Sequence, residues 1–254
     1  MTSLRLLLLS MLVSASAPVL AETADEKKAI QEYMTQSQIE AIVKNYLLQN
    51  GGVIIEGLET YQEKQAEEQA RAAEDAIRNE KSFLYEGKHP YAGNKDASVT
   101  LVEFFDYNCG YCKKALNDVT DLLDEDGDLR VVFLEVPILS PSSREVARWS
   151  VAAQNQEKYL DYHVKLMKHR GQYDEKTLEK LAKEAGLDVD QLKKDKASKE
   201  IEAALNENLA YMEKFGIRGT PSFIVDAQLL RGYVGKDQLE TIIKEVRESS
   251  EKGS

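Results

Sequence analysis

The two thiols of the chain stand three positions apart, at Cys109-Gly110-Tyr111-Cys112. The run ahead of them, Val99-Thr100-Leu101-Val102-Glu103-Phe104-Phe105, is almost wholly apolar and reads as a strand buried on both faces. It breaks at Asp106-Tyr107-Asn108, and a helical pattern restarts at the first cysteine. A cysteine in the first turn of a helix meets unpaired backbone N–H groups and the positive end of the helix dipole. Both favour the thiolate and lower its pKa. A cysteine at i+3 shares that helix face and can close a small-ring disulfide. The pair describes a reversible redox switch, with Cys109 as exposed nucleophile and Cys112 as buried resolver. Its only cofactor would be the Cys109–Cys112 disulfide itself.

Other chemistries for two thiols are weaker. A structural bridge closing so short a loop removes little chain entropy. A zinc half-site needs two more ligands, and His89, His163 and His169 show no matching spacing, so no metal site is expected. Cu(I) held by both thiolates, or a holdase surface on the helical part, are the alternatives of a binding class.

The N-terminus reads as a secretory leader over residues 1–21. Arg5 supplies the charge, Leu4 to Val13 the apolar core, and Val19-Leu20-Ala21 the small-residue cleavage site. That core is too short to span a membrane. The expectation is a soluble periplasmic protein in an oxidising compartment. A formal net charge of −11 argues against nucleic acid as a partner.

Residues 22–82 read as an N-terminal helical segment. Ile39, Ile42, Val43, Tyr46 and Leu47 form one apolar stripe, Gly51-Gly52 stop that helix, and a second starts near Val53. The second carries Ile54, Ile55, Leu58 and Tyr61, then a thin seam of Ala66, Ala70, Ala73 and Ile77 among many charges. A helix pair this small cannot bury its own stripe. It must then pack on the main domain or on copies of itself. A homo-oligomer, dimer or trimer, is the expectation because the long polar helix separates the stripe from the redox domain, and a solvated spacer is the bland alternative.

Residues 83–254 read as one α/β domain. Residues 83–98 are loop-like. After them come the buried strand, the redox helix and a second apolar strand, Leu129 to Val136, which together predict a βαβ unit with a parallel pair. The next strand begins only at Ser222. A crossover needs about a dozen residues, so 139–216 is an inserted helical subdomain. Ser140-Pro141 reads as its first helix start, and Asp188 with Gln191 as a capping box. His163 and His169 within it read as packing or surface residues. Ser222 to Val225, Leu229 to Val234 and a helix from Lys236 to Val246 complete the domain, with 248–254 a polar tail.

Two stretches carry a family resemblance. Glu103-Phe104-Phe105-Asp106-Tyr107-Asn108-Cys109-Gly110-Tyr111-Cys112-Lys113 and Gly216-Ile217-Arg218-Gly219-Thr220-Pro221-Ser222-Phe223, with a helical block between them, resemble the DsbA-like branch of the thioredoxin superfamily. The resemblance covers roughly Val99 to Val246 and implies a thioredoxin-like fold with a helical insertion. It implies that Pro221 is cis, faces the cysteines, and with Thr220 binds substrate backbone. It also places Glu103 as a buried acid beneath the second cysteine, serving proton transfer. Burial in the middle of such a strand would raise its pKa; a strand-edge glutamate facing water is the alternative. Gly110-Tyr111 stand where strong oxidants of the family carry Pro-His, so the dipeptide should tune the disulfide to be less oxidising. With the extra N-terminal segment, the likeness is to DsbA-family proteins of the ScsC and Com1 type. The resemblance implies an exported disulfide isomerase or reductase, with cysteine-bearing exported proteins as substrates and a membrane redox partner. A DsbA-like dithiol oxidase is the alternative.

Overall fold

The apolar run at 99–105 is the middle strand of a five-stranded sheet in the computed structural model, which describes residues 34–252. The expected leader, 1–21, lies outside the described residues. The strands are β1 (Tyr91–Gly93), β2 (Val99–Phe105), β3 (Leu129–Glu135), β4 (Ser222–Val225) and β5 (Gln228–Arg231). They lie in the order β1-β3-β2-β4-β5, with β2 and β3 parallel and every other pair antiparallel. Six of the seven β2 residues are buried, which is why the strand lacks the polar alternation of a half-exposed one. Leu101 and Phe105 share one apolar core with Cys112 and Phe133; Val102 and Phe104 face a second, with Ile77, Leu84 and Phe215. Alternation places Glu103 on the Leu101 and Phe105 face, the face that holds the redox helix. This is the α/β, thioredoxin-like architecture that the resemblance implied.

The redox helix α3 spans Gly110–Glu125. Between β3 and β4 lie α4 (Ser143–Ala152), α5 (Tyr159–Lys168), α6 (Glu175–Glu184), α7 (Val189–Asp195) and α8 (Lys199–Lys214), the expected helical insertion. The last helix, α9, spans Lys236–Lys252.

Several local expectations are corrected. The segment 83–98 is not all loop: it carries β1 at the sheet edge, too short to show any periodicity. Gly93 of β1 has φ +86°, and a Cβ there would run into the Leu129 carbonyl. The first insertion helix begins at Ser143, not at Ser140-Pro141. The capping box is half formed: Asp188 caps the Gln191 N–H at 3.0 Å, but the Gln191 side chain turns to Asp195 and the Asp188 N–H goes to Gln156. The terminal helix runs on into the expected tail as far as Lys252, the last described residue, because its charged residues are good helix formers.

At the other end, α1 (Gln36–Gln49) and α2 (Gly51–Asn79) are separated by Asn50 alone. The Asn50 backbone N–H and side-chain amide both donate to the Tyr46 carbonyl at 2.8 Å, so the asparagine ends the helix and the two glycines open the next. The chain forms two compact units, one ending at Gln62 and one starting at Glu63. The division falls inside α2 rather than at 82, because Ala73 and Ile77 bury themselves in the larger unit. In the smaller unit Ile39, Ile42, Val43, Tyr46, Ile54, Ile55 and Leu58 are all at least half exposed. Among the described residues no helix is long and apolar enough to cross a membrane.

Candidate active site

Cys109 is the N-cap of α3, in extended conformation, and Cys112 lies in the helix's first turn. Both are free thiols. The Cys109 Sγ accepts the Cys112 backbone N–H at 3.4 Å and lies 3.2 Å from the Thr220 carbonyl oxygen. Cys109 retains 6% of its surface and Cys112 none, so only the first sulfur can be reached from outside.

The electrostatics separate the two sulfurs further. The Cys109 thiol is pulled down to about 5, chiefly by the hydrogen bond from the Cys112 thiol. Thr220 and the backbone N–H groups of Cys112 and Tyr111 add to this against the opposing effect of burial. Cys112 moves the other way: burial, the proton it shares with Cys109 and the nearby Glu103 charge all hold it protonated. One sulfur is the anion and the other the acid.

Glu103 is buried in the centre of the sheet, not at a water-facing edge. Its Oε1 has no hydrogen-bond partner among the described residues. Burial first, then the Cys109 charge, push its carboxyl up to about 8. The Thr220–Pro221 bond is cis. The Pro221 carbonyl accepts the Gly232 N–H at 2.9 Å, which ties this loop to the end of β5. Gly110 has open space where a Cβ would stand, so no close contact requires glycine there. Tyr111 is 64% exposed and stacks on Tyr233 at 6.3 Å. The Tyr233 hydroxyl donates to Asp118 at 2.6 Å, and Lys114 Nζ lies 4.1 Å over its ring. Glu103, Cys109, Cys112, Thr220 and Pro221 are thus gathered in one place, with Gly110 and Tyr111 on its rim.

Two buried acids escaped the sequence reading as individual groups. Asp106 looked like part of a strand break, yet it is 2% exposed and accepts four hydrogen bonds on its carboxyl oxygens. Glu135 ends the apolar strand Leu129–Glu135, accepts the Tyr159 hydroxyl at 2.8 Å, and is pushed up to about 7, mainly by burial. A lone acid closing an apolar strand was the available signal. His163 is a packing residue, as expected. Rings of Phe105, Phe133 and Tyr159 surround it, burial drives it down to about 3, and its Nδ1 lies 2.9 Å from the Tyr107 hydroxyl. Among the described residues no cluster of His, Cys, Asp and Glu could hold a metal ion.

Comparison with known proteins fits this geometry. The model of the family described as Thioredoxin matches residues 85–245. Among curated proteins, the disulfide bond formation protein D of Bacillus subtilis is 29% identical over 171 residues, 62% of this chain and 77% of the relative. The sodium/proton antiporter NhaA of Herminiimonas arsenicoxydans is 33% identical over 141 residues, 55% of this chain. The chain spans only 22–24% of the length of the antiporters it matches. Among solved structures, a thioredoxin-like oxidoreductase from Silicibacter pomeroyi is 39% identical, with a TM-score of 0.64, over 66% of this chain and 97% of that one. Proteus mirabilis ScsC in a transitional conformation covers 86% of this chain and 99% of its own, at 28% identity and a TM-score of 0.64. Salmonella enterica Typhimurium BcfH covers 89% and 100%, at 26% identity and a TM-score of 0.75.

Proposed function

The chain belongs to the thioredoxin family, in its DsbA-like branch, and from this we propose that it is an exported thiol:disulfide oxidoreductase working as a protein-disulfide isomerase and reductase. The observation that carries the reading is the pairing of a thiolate at the N-cap of α3 with a buried, protonated thiol one turn on. Its likeness to a disulfide bond formation protein and to ScsC supports the same chemistry.

In the forward direction the Cys109 thiolate attacks one sulfur of a substrate disulfide. A new S–S bond forms, the substrate bond breaks, and the departing substrate sulfur leaves as a thiolate. Substrate backbone pairs in extended form against Thr220 and Pro221. From the mixed disulfide there are two exits. A second substrate thiolate can attack its own bridged sulfur, releasing Cys109 unchanged with the substrate disulfide reshuffled. Otherwise Cys112 loses its proton to Glu103 and attacks Cys109, giving reduced substrate and the Cys109–Cys112 disulfide, a two-electron exchange. A carboxyl near 8 is suited to holding that proton around neutral pH. The oxidised form would need a membrane redox partner to restore its thiols.

Two features favour isomerase over oxidase. Gly110-Tyr111 put no histidine beside the thiolate, and a Cys109 value near 5 lies above the value of about 3.5 of the strong oxidant DsbA. The exposed stripe Ile39 to Leu48 offers an interface for a homo-oligomer that would present several sites to one substrate. Export rests on the leader read at residues 1–21.

Trapping tests the assignment. Cys112→Ser should accumulate mixed disulfides with substrate proteins on non-reducing gels, and Cys109→Ser should trap none. Equal trapping by both variants would remove it.

A further inference from the structure

The three residues immediately before the nucleophile, Asp106-Tyr107-Asn108, read in sequence as a mere interruption between strand and helix. In the structure they are the most heavily bonded stretch of the site. The Asp106 Oδ2 accepts the backbone N–H groups of Ile138 and Leu139 at 2.8 and 3.0 Å. Its Oδ1 accepts the Asn108 N–H and the Ser143 hydroxyl, both at 2.8 Å. The Tyr107 hydroxyl lies 2.5 Å from Ser150 Oγ and 2.9 Å from His163 Nδ1. The Tyr107 carbonyl is 3.2 Å from the Tyr173 hydroxyl. The Asn108 side-chain amide donates to Ser143 Oγ at 2.9 Å and, at 3.3 Å, to Ser142 Oγ.

One pattern runs through these bonds. Every hydrogen bond that a side chain of the triplet makes outside it ends between residues 138 and 163, and the Tyr173 hydroxyl on the Tyr107 carbonyl lies in the same segment, inserted between β3 and β4. Inside the triplet, the Cys109 N–H donates to the Asp106 carbonyl at 3.0 Å, so the turn carrying the sulfur is closed on the most heavily bonded of the three residues. From the other side, Lys113 Nζ donates to the His169 carbonyl at 2.7 Å and lies 5.0 Å from the centre of the Tyr173 ring. Asp106 and Tyr107 are buried, so breaking these bonds leaves polar groups without water to replace their partners.

We propose that Asp106, Tyr107 and Asn108 are positioning residues through which the inserted helical segment sets the geometry of the nucleophile turn. The proposal deepens the function above, since it rests on Cys109 being the nucleophile. The physical route is short. Stabilisation of the Cys109 thiolate depends on the sulfur meeting the N–H groups of Tyr111 and Cys112 and the Cys112 thiol, all of which require the N-cap conformation of Cys109. That conformation is held by a turn whose anchors lie in α4, in α5 and in the loop ahead of α4, not in α3 itself. The insertion thus takes part in the chemistry without touching the sulfur.

The test is the pH dependence of Cys109 alkylation by iodoacetamide in the reduced full chain, which needs no substrate. Asp106→Asn replaces one accepting carboxylate oxygen by an amide NH2, which faces donors and leaves them without their acceptor. Asn108→Ala removes the bonds to Ser142 and Ser143, and Tyr107→Phe removes only the hydroxyl. Asp106→Asn and Asn108→Ala should each raise the alkylation midpoint from about 5 by about one pH unit, a roughly tenfold loss of thiolate below the midpoint. Tyr107→Phe should shift it in the same direction by less. Ile77→Ala, which opens a cavity in the second core and outside the inserted segment, serves as the control at a matched loss of thermal stability and should leave the midpoint in place. Wild-type midpoints in folded Asp106→Asn and Asn108→Ala would overturn the proposal, as would an equal shift in Ile77→Ala. If Asp106→Asn does not fold, Asn108→Ala carries the test. A wild-type chain unable to reduce a protein disulfide would instead sink the functional reading, whatever the midpoints.

Discussion

The Cys109 sulfur and the Thr220 carbonyl oxygen, 111 positions apart in the chain, lie 3.2 Å apart in space. The contact joins the first turn of the redox helix to the cis-proline loop. Both sit at the ends of neighbouring strands, since β2 and β4 pair with Phe104 opposite Ser222. Any backbone segment that pairs with Thr220 must therefore pass beside the reactive sulfur.

The titration of Cys109 is the most direct consequence. Its reaction with iodoacetamide should follow a midpoint near pH 5, above the value of about 3.5 known for DsbA. The folded value is depressed, so the thiolate's contribution to stability is full above the unfolded value of about 8.5 and is lost as pH falls through 5. The thermal midpoint of the reduced protein should exceed that of Cys109→Ser at pH 7, and the gap should close below pH 5. A midpoint at or below 3.5 would contradict the milder-oxidant reading.

Glu103 has the opposite sign. Its folded value, near 8, lies above the usual carboxyl range, so its burial costs nothing below about pH 4.3 and costs most above pH 8. Glu103→Gln should therefore gain thermal stability relative to wild type as pH rises from 5 to 9, by an amount on the order of a few kcal/mol. It should also slow release of trapped mixed disulfides by Cys112, because the resolving thiol loses its proton acceptor. A stability difference that is flat with pH would show that the carboxyl is not buried in water-free surroundings.

Ile77 anchors the C-terminal part of α2 under the sheet, fully buried beside Val102, Phe104 and Phe215. Ile77→Ala should cost about 2–5 kcal/mol in urea unfolding of the larger unit. A solvated spacer helix would lose almost nothing from the same change.

The oligomer is tested by a cut that respects the fold. Deleting residues 22–62 removes the exposed stripe and spares Ala73 and Ile77, whereas a deletion reaching 80 would strip buried residues from the core. The shortened protein should scatter light as a monomer, still reduce protein disulfides, and reshuffle scrambled substrates poorly. A wild-type protein already monomeric at micromolar concentration would refute the interface.

Much of this was legible in the residues themselves. The apolar run before the cysteines, the i, i+3 spacing of Cys109 and Cys112, and the strand–helix–strand order follow from hydrophobic periodicity and helix geometry, which are local properties. The length of the stretch from 139 to 216 betrayed an insertion for the same reason. Glu103 stood out because one acid in an apolar strand has no local excuse. Tertiary structure alone decided the rest. β1 is three residues whose strand pairing is with β3, a distant partner that no local pattern announces. The burial of Ala73 and Ile77 moved the unit boundary into the middle of a helix whose sequence is continuous. Asp106, Tyr107 and Asn108 look locally like turn formers, and nothing near them in sequence supplies the Ile138 and Leu139 N–H groups, Ser150 or His163. A hydrogen bond between residues tens of positions apart leaves no periodic trace, because each partner is chosen by the fold that brings it there.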